Sequence, residues 1–475
     1  MRLSCSSVTV ESATLQSVDV LVIGGGNAAL CAAIAAGEAG ATVALLEAAP
    51  EWMRGGNSRH TRDIRFAHAY ASAYVTGAYP EEEFWDDLWH VTDGQTTEAL
   101  ARLVIQASAD IERWMLARGV RWQAPLRGTL HLARTNIFML GGGKAMINAL
   151  YAAAARVGVR VLYDAEVQRL DMSDGRFRCA ELQLKDRASQ INARAVVVAS
   201  GGFEANIDWL RRYWGEAADN FVIRGTPYNT GTLLAELLEH GVQSIGDPKQ
   251  FHGVALDARA PTFDGGIVTR LDSVPFGIVV NRDGQRFYDE GEDFWPKRYA
   301  IWGRLIADQP GQVAYSIVDS RAMGLFLPSV FPPFVAPTLT ELAEALGLPA
   351  ATVSDTVQRY NASVCPGRFD PSSLDDCHTA GLDPPKSHWA VPIERGPFYG
   401  YPLKTGVTFT YMGVAVDDAA RVVLRSGLAS PNVFAAGEVM AANILGKGYL
   451  AGFGLTIGTV FGRIAGQEAA RFARA

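Results

Sequence analysis

The 475-residue chain has few cysteines and no long apolar run. Its five cysteines form no C-x-x-C pair, which argues against a disulfide framework, a zinc site or an iron–sulfur cluster held in this chain. The first twelve residues contain no apolar run of signal-peptide length, and no window reaches the roughly 18 apolar residues of a membrane span. We therefore expect a cytoplasmic protein.

The chain also lacks an excess of positive charge. Its formal net charge is −7 at pH 7, and its lysines and arginines are spread along the sequence, which argues against an extended nucleic-acid-binding surface. Any cation that matters for function should be local and inward-facing. Apolar residues are abundant, at 48% of the chain, and strand and helix signals alternate, which favours an α/β architecture with a large core.

The region 249–404 differs from the rest of the chain in its many prolines and aromatics, as in PSVFPPFVAPT and DPPKSHWAVP. This composition predicts an inserted second domain. The flanking ranges 18–248 and 405–475 are predicted to form one discontinuous domain, because VFAAGEV near the C-terminus returns to a short buried strand and a glycine-rich helix start. Residues 1–17 are predicted to be a flexible N-terminal arm.

The stretch VLVIGGGNAALCAAIAAGEAGATVALLE predicts a dinucleotide-binding unit. Its pattern G-x-G-x-x-A starts at Gly24, where the first glycine permits a tight turn and the second lets the backbone approach a pyrophosphate. The pyrophosphate would lie on amide groups at the helix N-terminus. A second strand ends in Glu47, at the position of an acid that accepts from ribose hydroxyls. This pattern alone does not separate flavin from nicotinamide.

Five segments, in order, resemble the flavoproteins of the succinate dehydrogenase and fumarate reductase family: GGNSRHTR from Gly55, VVVASGGF from Val196, YNTGTLLAELLEHG from Tyr228, GIVVNRDGQRFYDE from Gly277, and VFAAGEVMAANILGKGYLAGFGLTIGTVFGRIAG from Val433. The resemblance implies a Rossmann-type FAD-binding domain with a three-layer ββα arrangement, and an inserted α+β capping domain. It also implies FAD as the cofactor. Some relatives attach FAD through a histidine in the first of these loops, but the offset of His60 from the glycine–asparagine pair does not fit, so non-covalent FAD is expected.

The motif and the resemblance together assign a set of cofactor residues. By the resemblance, Glu47 binds the adenosine ribose and Glu438 lies near the ribityl chain. The helix that begins in GYLAGFGLTIG can point free amide groups at the flavin N1 and C2 carbonyl, where negative charge appears on reduction. The full set is Gly24, Gly26, Asn27, Ala28, Glu47, Gly55, Gly56, Asn57, Ser58, Val167, Ser200, Gly201, Asn229, Thr230, Gly231, Glu438, Gly452, Gly454 and Leu455.

The resemblance further implies that the capping domain presents cations to substrate carboxylates beside flavin N5. His252 matches the family histidine at the start of the cap and is predicted to be catalytic. Thr269 matches a substrate-facing threonine, but Arg270 stands where the family carries a glutamate. This charge reversal suggests one carboxylate more than a C4 dicarboxylate has, and a tricarboxylate fits.

The family's proton-transfer arginine follows its RF-x-N-E motif by a few residues. Phe294 occupies that offset here, and Arg298 stands one helical turn later. Arg298 is therefore predicted to transfer the proton, with Lys297 as an alternative. A lysine–arginine pair on the surface is the competing interpretation.

Two other family motifs are altered. GVTFTYMGV replaces a segment with a histidine pair, and NILGKG replaces one with a carboxylate-binding arginine, so simple fumarate or succinate chemistry is not expected. The tyrosines in these segments either donate to carboxylates or pack as hydrophobes, and Arg134 and Arg224 either contact substrate or tie down loops. The further substrate candidates are Thr410, Tyr411, Lys447, Tyr449 and Arg134.

The predicted reaction is FAD-dependent dehydrogenation of a tricarballylate-like polycarboxylate to a cis-aconitate-like alkene, with hydride transfer to flavin N5. Open alternatives are an unsaturated-acid reductase, a 3-ketosteroid dehydrogenase, the flavin module of a corrin-ring hydroxylase, an electron-transfer subunit without its own substrate, and a nicotinamide dehydrogenase. The chain has no C-x-x-C-H haem motif. The family implies a separate membrane-bound iron–sulfur protein as electron acceptor, which would hold the chain at the inner membrane.

Overall fold

The structure, a computed structural model, describes residues 13–475 apart from 127 and 129. In chain order the strands are β1 (Ala13–Ile23), β2 (Val43–Leu46), β3 (Asp63–Arg65), β4 (Trp122–Gln123), β5 (Asn136–Met139), β6 (Arg160–Leu162), β7 (Ala165–Ser173), β8 (Arg176–Leu184), β9 (Arg187–Val198), β10 (Val222–Ile223), β11 (Ser244–Ile245), β12 (Phe251–Asp257), β13 (Ile278–Asn281), β14 (Val313–Val318), β15 (Phe334–Ala336), β16 (Val364–Cys365), β17 (His378–Thr379), β18 (Phe398–Thr410), β19 (Gly413–Val414), β20 (Arg421–Val423) and β21 (Ala429–Ala435).

The α-helices are α1 (Asn27–Glu38), α2 (Glu81–Thr92), α3 (Glu98–Ser108), α4 (Ile111–Ala117), α5 (Leu132–Thr135), α6 (Gly142–Arg156), α7 (Ile207–Trp214), α8 (Thr232–Glu239), α9 (Trp295–Arg298), α10 (Trp302–Ala307), α11 (Leu339–Ala345), α12 (Ala350–Ser363), α13 (Glu438–Ala441) and α14 (Phe453–Arg474). None of these helices is both long and apolar enough to cross a membrane.

The main sheet is built on buried parallel strands. Its order is β20-β21-β9-β1-β2-β6, and β7 and β8 extend it as an antiparallel meander from β9. β1 lies between β2 and β9 and runs parallel to both. The apolar runs 20–23, 43–46 and 195–198 are fully buried, as expected for strands covered on both faces. The predicted α/β architecture, a Rossmann-type domain with an added cap, is confirmed.

A second sheet joins residues from the predicted cap. Its order is β10-β18-β14-β13, and β12 and β15 also pair with β18. β10 precedes the predicted domain boundary at 248, and β18 continues past the one at 404 to Thr410. This sheet therefore reaches into both predicted domains, and the long strand β18 carries the chain from the cap back to the main domain.

The N-terminal prediction needs a correction. Residues 13–17, assigned to a flexible arm, belong to β1, because 13–15 pair with 189–191 of β9. Residues 1–12 of the predicted arm lie outside the described residues.

Helices α1 and α14 pack so closely that their backbones are in contact at two glycines of α14. A Cβ atom at Gly462 would lie 2.4 Å from the carbonyl oxygen of Ala28, and one at Gly466 would lie 2.1 Å from that of Ala32. At the start of both helices, Asn27 Nδ2 donates to Leu455 O at 3.1 Å and to Thr459 Oγ1 at 2.9 Å. The two helices therefore run parallel, and their N-termini lie at the same end of the sheet.

We expect Gly466→Ala to lower the free energy of unfolding by about 1–3 kcal/mol, because the added methyl group meets rigid backbone in a close-packed interface. Thermal unfolding measures the effect. The neighbouring exposed residue gives the control, since Gln467→Ala should change stability by less than about 0.5 kcal/mol. Equal stability of Gly466→Ala and the wild type would contradict the close approach of the helices.

Candidate active site

A cavity of about 400 Å³ lies where the parallel strands of the main sheet end. Its wall contains the residues that directly follow β1, β2, β9 and β21, among them Gly24, Glu47, Ser200 and Gly437. Ligands of open α/β sheets bind in the crevice at the carboxyl ends of the strands. The position of the cavity therefore follows from the sheet topology.

Three helices begin at this cavity with a glycine before their first residue. Gly26, Gly231 and Gly452 precede α1, α8 and α14, and a glycine has no side chain with which to cap the first amide groups. Residues from the first turn of each helix line the cavity. The positive ends of three helix dipoles at one place favour an anionic ligand such as a pyrophosphate.

The glycine-rich turn has the space that a pyrophosphate needs. Gly24 has φ of +116°, and a Cβ atom there would lie 2.3 Å from the carbonyl oxygen of Ala199. A Cβ atom at Gly26 would meet no protein atom closer than Ser58 Oγ at 3.5 Å. The first glycine is thus required by the turn, and the backbone at Gly26 is open on the side of the cavity.

Glu47 is held at the end of β2 by backbone donors. Its Oε1 accepts from the amide of Ala49 at 3.0 Å, and its Oε2 accepts from the amide of Gly55 at 3.2 Å. Burial raises the pKa of this carboxyl group. A buried carboxyl fixed in this way can receive the hydroxyl groups of a ribose.

Most of the predicted cofactor residues line this cavity. Two do not: Gly55 lies behind it and donates to Glu47, and Gly452 packs against Asn136 and the amide of Arg65. Those that line it are Gly24, Gly26, Asn27, Ala28, Glu47, Gly56, Asn57, Ser58, Val167, Ser200, Gly201, Asn229, Thr230, Gly231, Glu438, Gly454 and Leu455.

His60 does not line the cavity. Its Nε2 lies against Asp264 Oδ1, and burial lowers the pKa of His60 to about 4. The imidazole therefore contacts an acid of the loop before β13 and not the wall formed by the cofactor residues.

One part of the cavity wall is formed by His252, Arg224 and Tyr449. The rings of His252 and Tyr449 stack with centroids 3.9 Å apart and planes inclined by 4°. Neither ring nitrogen of His252 has a hydrogen-bond partner in the described part of the chain. Burial, together with the charges of Arg224 and Arg270, holds the pKa of His252 well below its usual range. The imidazole is therefore neutral and free to bind.

Arg224 is a buried cation with unused donors. Its side chain lies on the cavity wall, and its Nε and Nη1 meet no acceptor within the described residues. Burial, with repulsion from Arg270 and Arg62, lowers its pKa to about 10. At neutral pH the group still carries its charge.

Two further arginines near Arg224 are paired with an acid. Arg270 Nη2 donates to Asp272 Oδ2 at 2.9 Å, and Arg62 Nη2 donates to the same oxygen at 3.3 Å. Trp295 Nε1 donates to the other oxygen of Asp272 at 2.8 Å. Arg270 also lies over the ring of a buried tyrosine, Tyr299, at 4.7 Å from its centroid. Asp272 thus serves two arginines, Arg62 also lies 3.6 Å from Asp63, and Arg224 is a buried cation without an acidic partner among the described residues.

The remaining predicted substrate residues that are buried have partners within the protein. Thr269 Oγ1 donates to Gly266 O at 2.9 Å, and Tyr411 donates to Gly448 O. Thr410 donates to Glu438 Oε1 from its backbone amide at 2.8 Å and from its hydroxyl at 3.1 Å. The hydroxyl of Tyr449 accepts from the amide of Gly454 at 2.9 Å. Tyr449 therefore links the part of the cavity wall formed by His252 and Arg224 to the start of α14.

Four predicted cations are not brought to the cavity and are corrected here. Arg298 pairs with Glu292 at 2.9 Å, Lys297 with Asp87 at 2.6 Å, Lys447 with Asp93 at 3.0 Å, and Arg134 with Glu83. For Arg298 and Lys297 the reason is the orientation of α9, which buries Trp295 and Pro296 and anchors Trp295 on Asp272. The other two lie on more exposed segments beside surface acids.

Sequence reasoning did not single out Arg62, Asp272, Tyr299 or Glu204. Arg62 ends the quoted loop GGNSRHTR, and Glu204 directly follows the quoted VVVASGGF. A charged residue next to a glycine-rich cofactor segment was the available signal for these two. Asp272 and Tyr299 gave no signal, because their neighbours come from distant parts of the chain.

Comparison with known proteins identifies the family. The model of the FAD-binding-domain family matches residues 19–455. The chain belongs to this family. FAD is its cofactor, and the protein is an FAD-dependent oxidoreductase. The glycine turn, the open backbone at Gly26 and the fixed carboxyl of Glu47 fit that cofactor.

The relatives are distant. The chain is 25% identical to the NADH:acrylate oxidoreductase of Vibrio harveyi, a match over 98% of this chain but 51% of that protein, so it spans about half of that relative's length. It is 27% identical to a fumarate reductase (cytochrome) of Shewanella frigidimarina, over 98% of this chain and 79% of the relative. The open conformation of a flavocytochrome c3 fumarate reductase superposes with a TM-score of 0.75 at 24% identity, over 98% of this chain and 79% of that one. This last similarity shows the shared fold.

We expect Glu47→Gln to weaken FAD binding by about tenfold, because a charged acceptor for the ribose hydroxyls becomes a neutral amide. Fluorescence titration of the apoprotein with FAD measures the dissociation constant. Glu51→Gln is the control, since Glu51 is exposed and contacts Arg54 on the surface. Unchanged FAD affinity in Glu47→Gln would remove Glu47 from the cofactor site.

Proposed function

We propose that the protein is a tricarballylate dehydrogenase-like enzyme, which oxidises a CH–CH bond of a tricarballylate-like tricarboxylate to a cis-aconitate-like alkene. The observation that carries this proposal is Arg224, a buried and unpaired cation on the wall of the cavity that holds the cofactor residues. A buried charge without a partner costs several kcal/mol, so such a group is retained where a ligand of opposite charge completes it. A carboxylate beside Arg224 would do so.

Charge favours an anionic substrate. Arg62, Arg224 and Arg270 influence one another electrostatically, and the acids beside them, Asp63 and Asp272, number one fewer than these arginines. Arg270 occupies the position where the sequence resemblance expects an acid. A steroid would leave Arg224 without a partner, and a buried cation on the cavity wall with no acidic partner among the described residues is an arrangement that an electron-transfer subunit has no need for. The names of two relatives, an acrylate oxidoreductase and a fumarate reductase, also refer to carboxylic acids with a C=C bond.

We assign roles on this basis. FAD supplies the hydride acceptor when it is bound. Arg224 binds a substrate carboxylate, with Arg270 adding positive potential, and Tyr449 holds the imidazole of His252 in place by stacking. The hydride leaves one carbon of the substrate, and His252 accepts the proton from the neighbouring carbon as the C=C bond forms. His252 takes this role instead of Arg298 because it is neutral, unpartnered and on the cavity wall.

Two further parts of the proposal concern the cofactor and the electron acceptor. FAD is held without a covalent bond, supported by the contact of His60 with Asp264. The electrons leave to a separate membrane-bound iron–sulfur protein. The reverse reaction, reduction of an unsaturated acid, uses the same groups and differs only in the partner that supplies or removes electrons.

Anaerobic mixing of the FAD-loaded protein with candidate substrates tests the proposal. Tricarballylate should bleach the flavin absorption, whereas its neutral triamide, a ketosteroid and NADH should not, because the cations require a polyanion. Succinate, with one carboxylate fewer, should bleach it more slowly. Bleaching by the ketosteroid or the triamide, or no bleaching by tricarballylate, would contradict the proposed substrate.

Removal of the unpaired cation should weaken substrate binding. Arg224→Gln is expected to raise the tricarballylate concentration for half-maximal flavin reduction by about 10- to 100-fold, since it removes a charged hydrogen-bond donor. Rapid-mixing kinetics measures this concentration. Arg113→Gln is the control, because Arg113 is exposed and pairs with Asp110 at the surface. The same concentration dependence in both variants would exclude Arg224 from the substrate site.

A further inference from the structure

Two carboxyl groups lie side by side at the cofactor cavity, Glu204, which is buried, and Glu438, which is partly buried. Glu438 lines the cavity, and Glu204 is fully buried behind it. A Cβ atom at Gly202 would lie 2.2 Å from Glu438 Oε1 and 2.8 Å from Glu204 Oε2, so the two carboxyl groups lie close together beside this glycine. The reaction proposed above uses neither group.

The donors around Glu204 are fixed. Its Oε1 accepts from Asn57 Nδ2 at 2.5 Å and from Asn229 Nδ2 at 2.6 Å. The amide of Thr226 donates to Asn57 Oδ1 at 2.8 Å, and this bond sets the direction in which the carboxamide of Asn57 points. Glu204 Oε2, in contrast, meets no N–H or hydroxyl donor in the described chain, although it is buried.

Glu438 has a similar arrangement. Its Oε1 accepts from the amide of Thr410 at 2.8 Å and from the Thr410 hydroxyl at 3.1 Å. That hydroxyl accepts from the amide of Phe203 at 3.3 Å, which leaves its own hydrogen for Glu438. Among the described residues, the neighbouring carboxyl of Glu438 is placed to donate to the free oxygen of Glu204 when it carries a hydrogen.

Two carboxyl groups in contact in a buried site do not both ionise, because the second charge is opposed by desolvation and by the first. Burial raises the pKa of Glu204, and burial together with the charge of Glu204 raises that of Glu438 well above its usual range.

We propose that the pair carries one proton, held on Glu438 and donated to Glu204 Oε2, so that the carboxyl group facing FAD is neutral and the negative charge rests on Glu204. Glu204 is then a positioning residue that acts through Glu438. Reduction adds electrons to FAD, and a neutral group on the cavity wall opposes this less than a carboxylate would. This placement of charge concerns FAD alone, so its test is independent of the substrate.

Two substitutions separate the members of the pair. In Glu204→Gln the new amide donates to Glu438, which then ionises, and the negative charge moves to the cavity wall. In Glu438→Gln the new amide donates to Glu204, and a neutral group still faces FAD. The midpoint potential of bound FAD, measured by anaerobic titration, should therefore fall in Glu204→Gln and stay closer to the wild-type value in Glu438→Gln. An unchanged potential in Glu204→Gln, or an equal or larger fall in Glu438→Gln, would overturn the proposal.

Infrared spectroscopy of the FAD-loaded protein tests the shared proton directly and needs only one of the two variants. The difference spectrum between wild type and variant should show a carboxylic acid C=O band that belongs to the wild type, because either substitution leaves one ionised carboxyl. Absence of such a band at neutral pH would mean that both glutamates are ionised, which contradicts the proposal.

Discussion

The close packing of α1 on α14 is the constraint on which the site depends. The glycines of α14 let its backbone approach that of α1, and the two helices run parallel, so their positive ends meet at the carboxyl edge of the sheet. Asn27 links the two helix starts through Leu455 and Thr459. A third helix, α8, begins at the same cavity. The position of the cavity to which we assign FAD is thus fixed by how closely two helices approach.

Charge is arranged differently in two groups of residues at this cavity. In the first, Glu204 and Glu438 place acidic groups in a polar network with the amides of Asn57 and Asn229. In the second, Arg224 is buried without an acceptor for two of its nitrogens among the described residues, while Arg270 and Arg62 share Asp272. Each arrangement lowers the stability of the fold, because unpaired polar and charged groups are buried at low dielectric. A hydrogen-bond or charge partner from outside the group would remove that cost. We propose that a proton completes the first and an anionic substrate the second.

The sequence was sufficient where function depends on local geometry. The turn at Gly24 and the spacing to Glu47 lie within one unit of β1, α1 and β2, and the glycines before α8 and α14 directly precede those helices. Most of the residues assigned from these segments line the cavity. The substrate side could not be predicted as well, because it is assembled from distant segments. Arg298 was assigned from its offset after a motif, but the contact of Trp295 with Asp272 turns α9 so that Arg298 meets Glu292. Arg224 was left undecided, since its environment includes residues near 62, 270, 299 and 449 that no spacing relates to it.

The central claim is that the unpaired guanidinium of Arg224 and the bound FAD share one cavity in order to hold a polycarboxylate. A crystal structure of the FAD-loaded protein with tricarballylate tests this most directly. The account predicts a carboxylate within hydrogen-bond distance of Arg224 Nε or Nη1, and a substrate carbon beside the imidazole of His252. Tricarballylate bound elsewhere, or Arg224 paired with an acid of the protein itself while the cavity holds FAD, would contradict it.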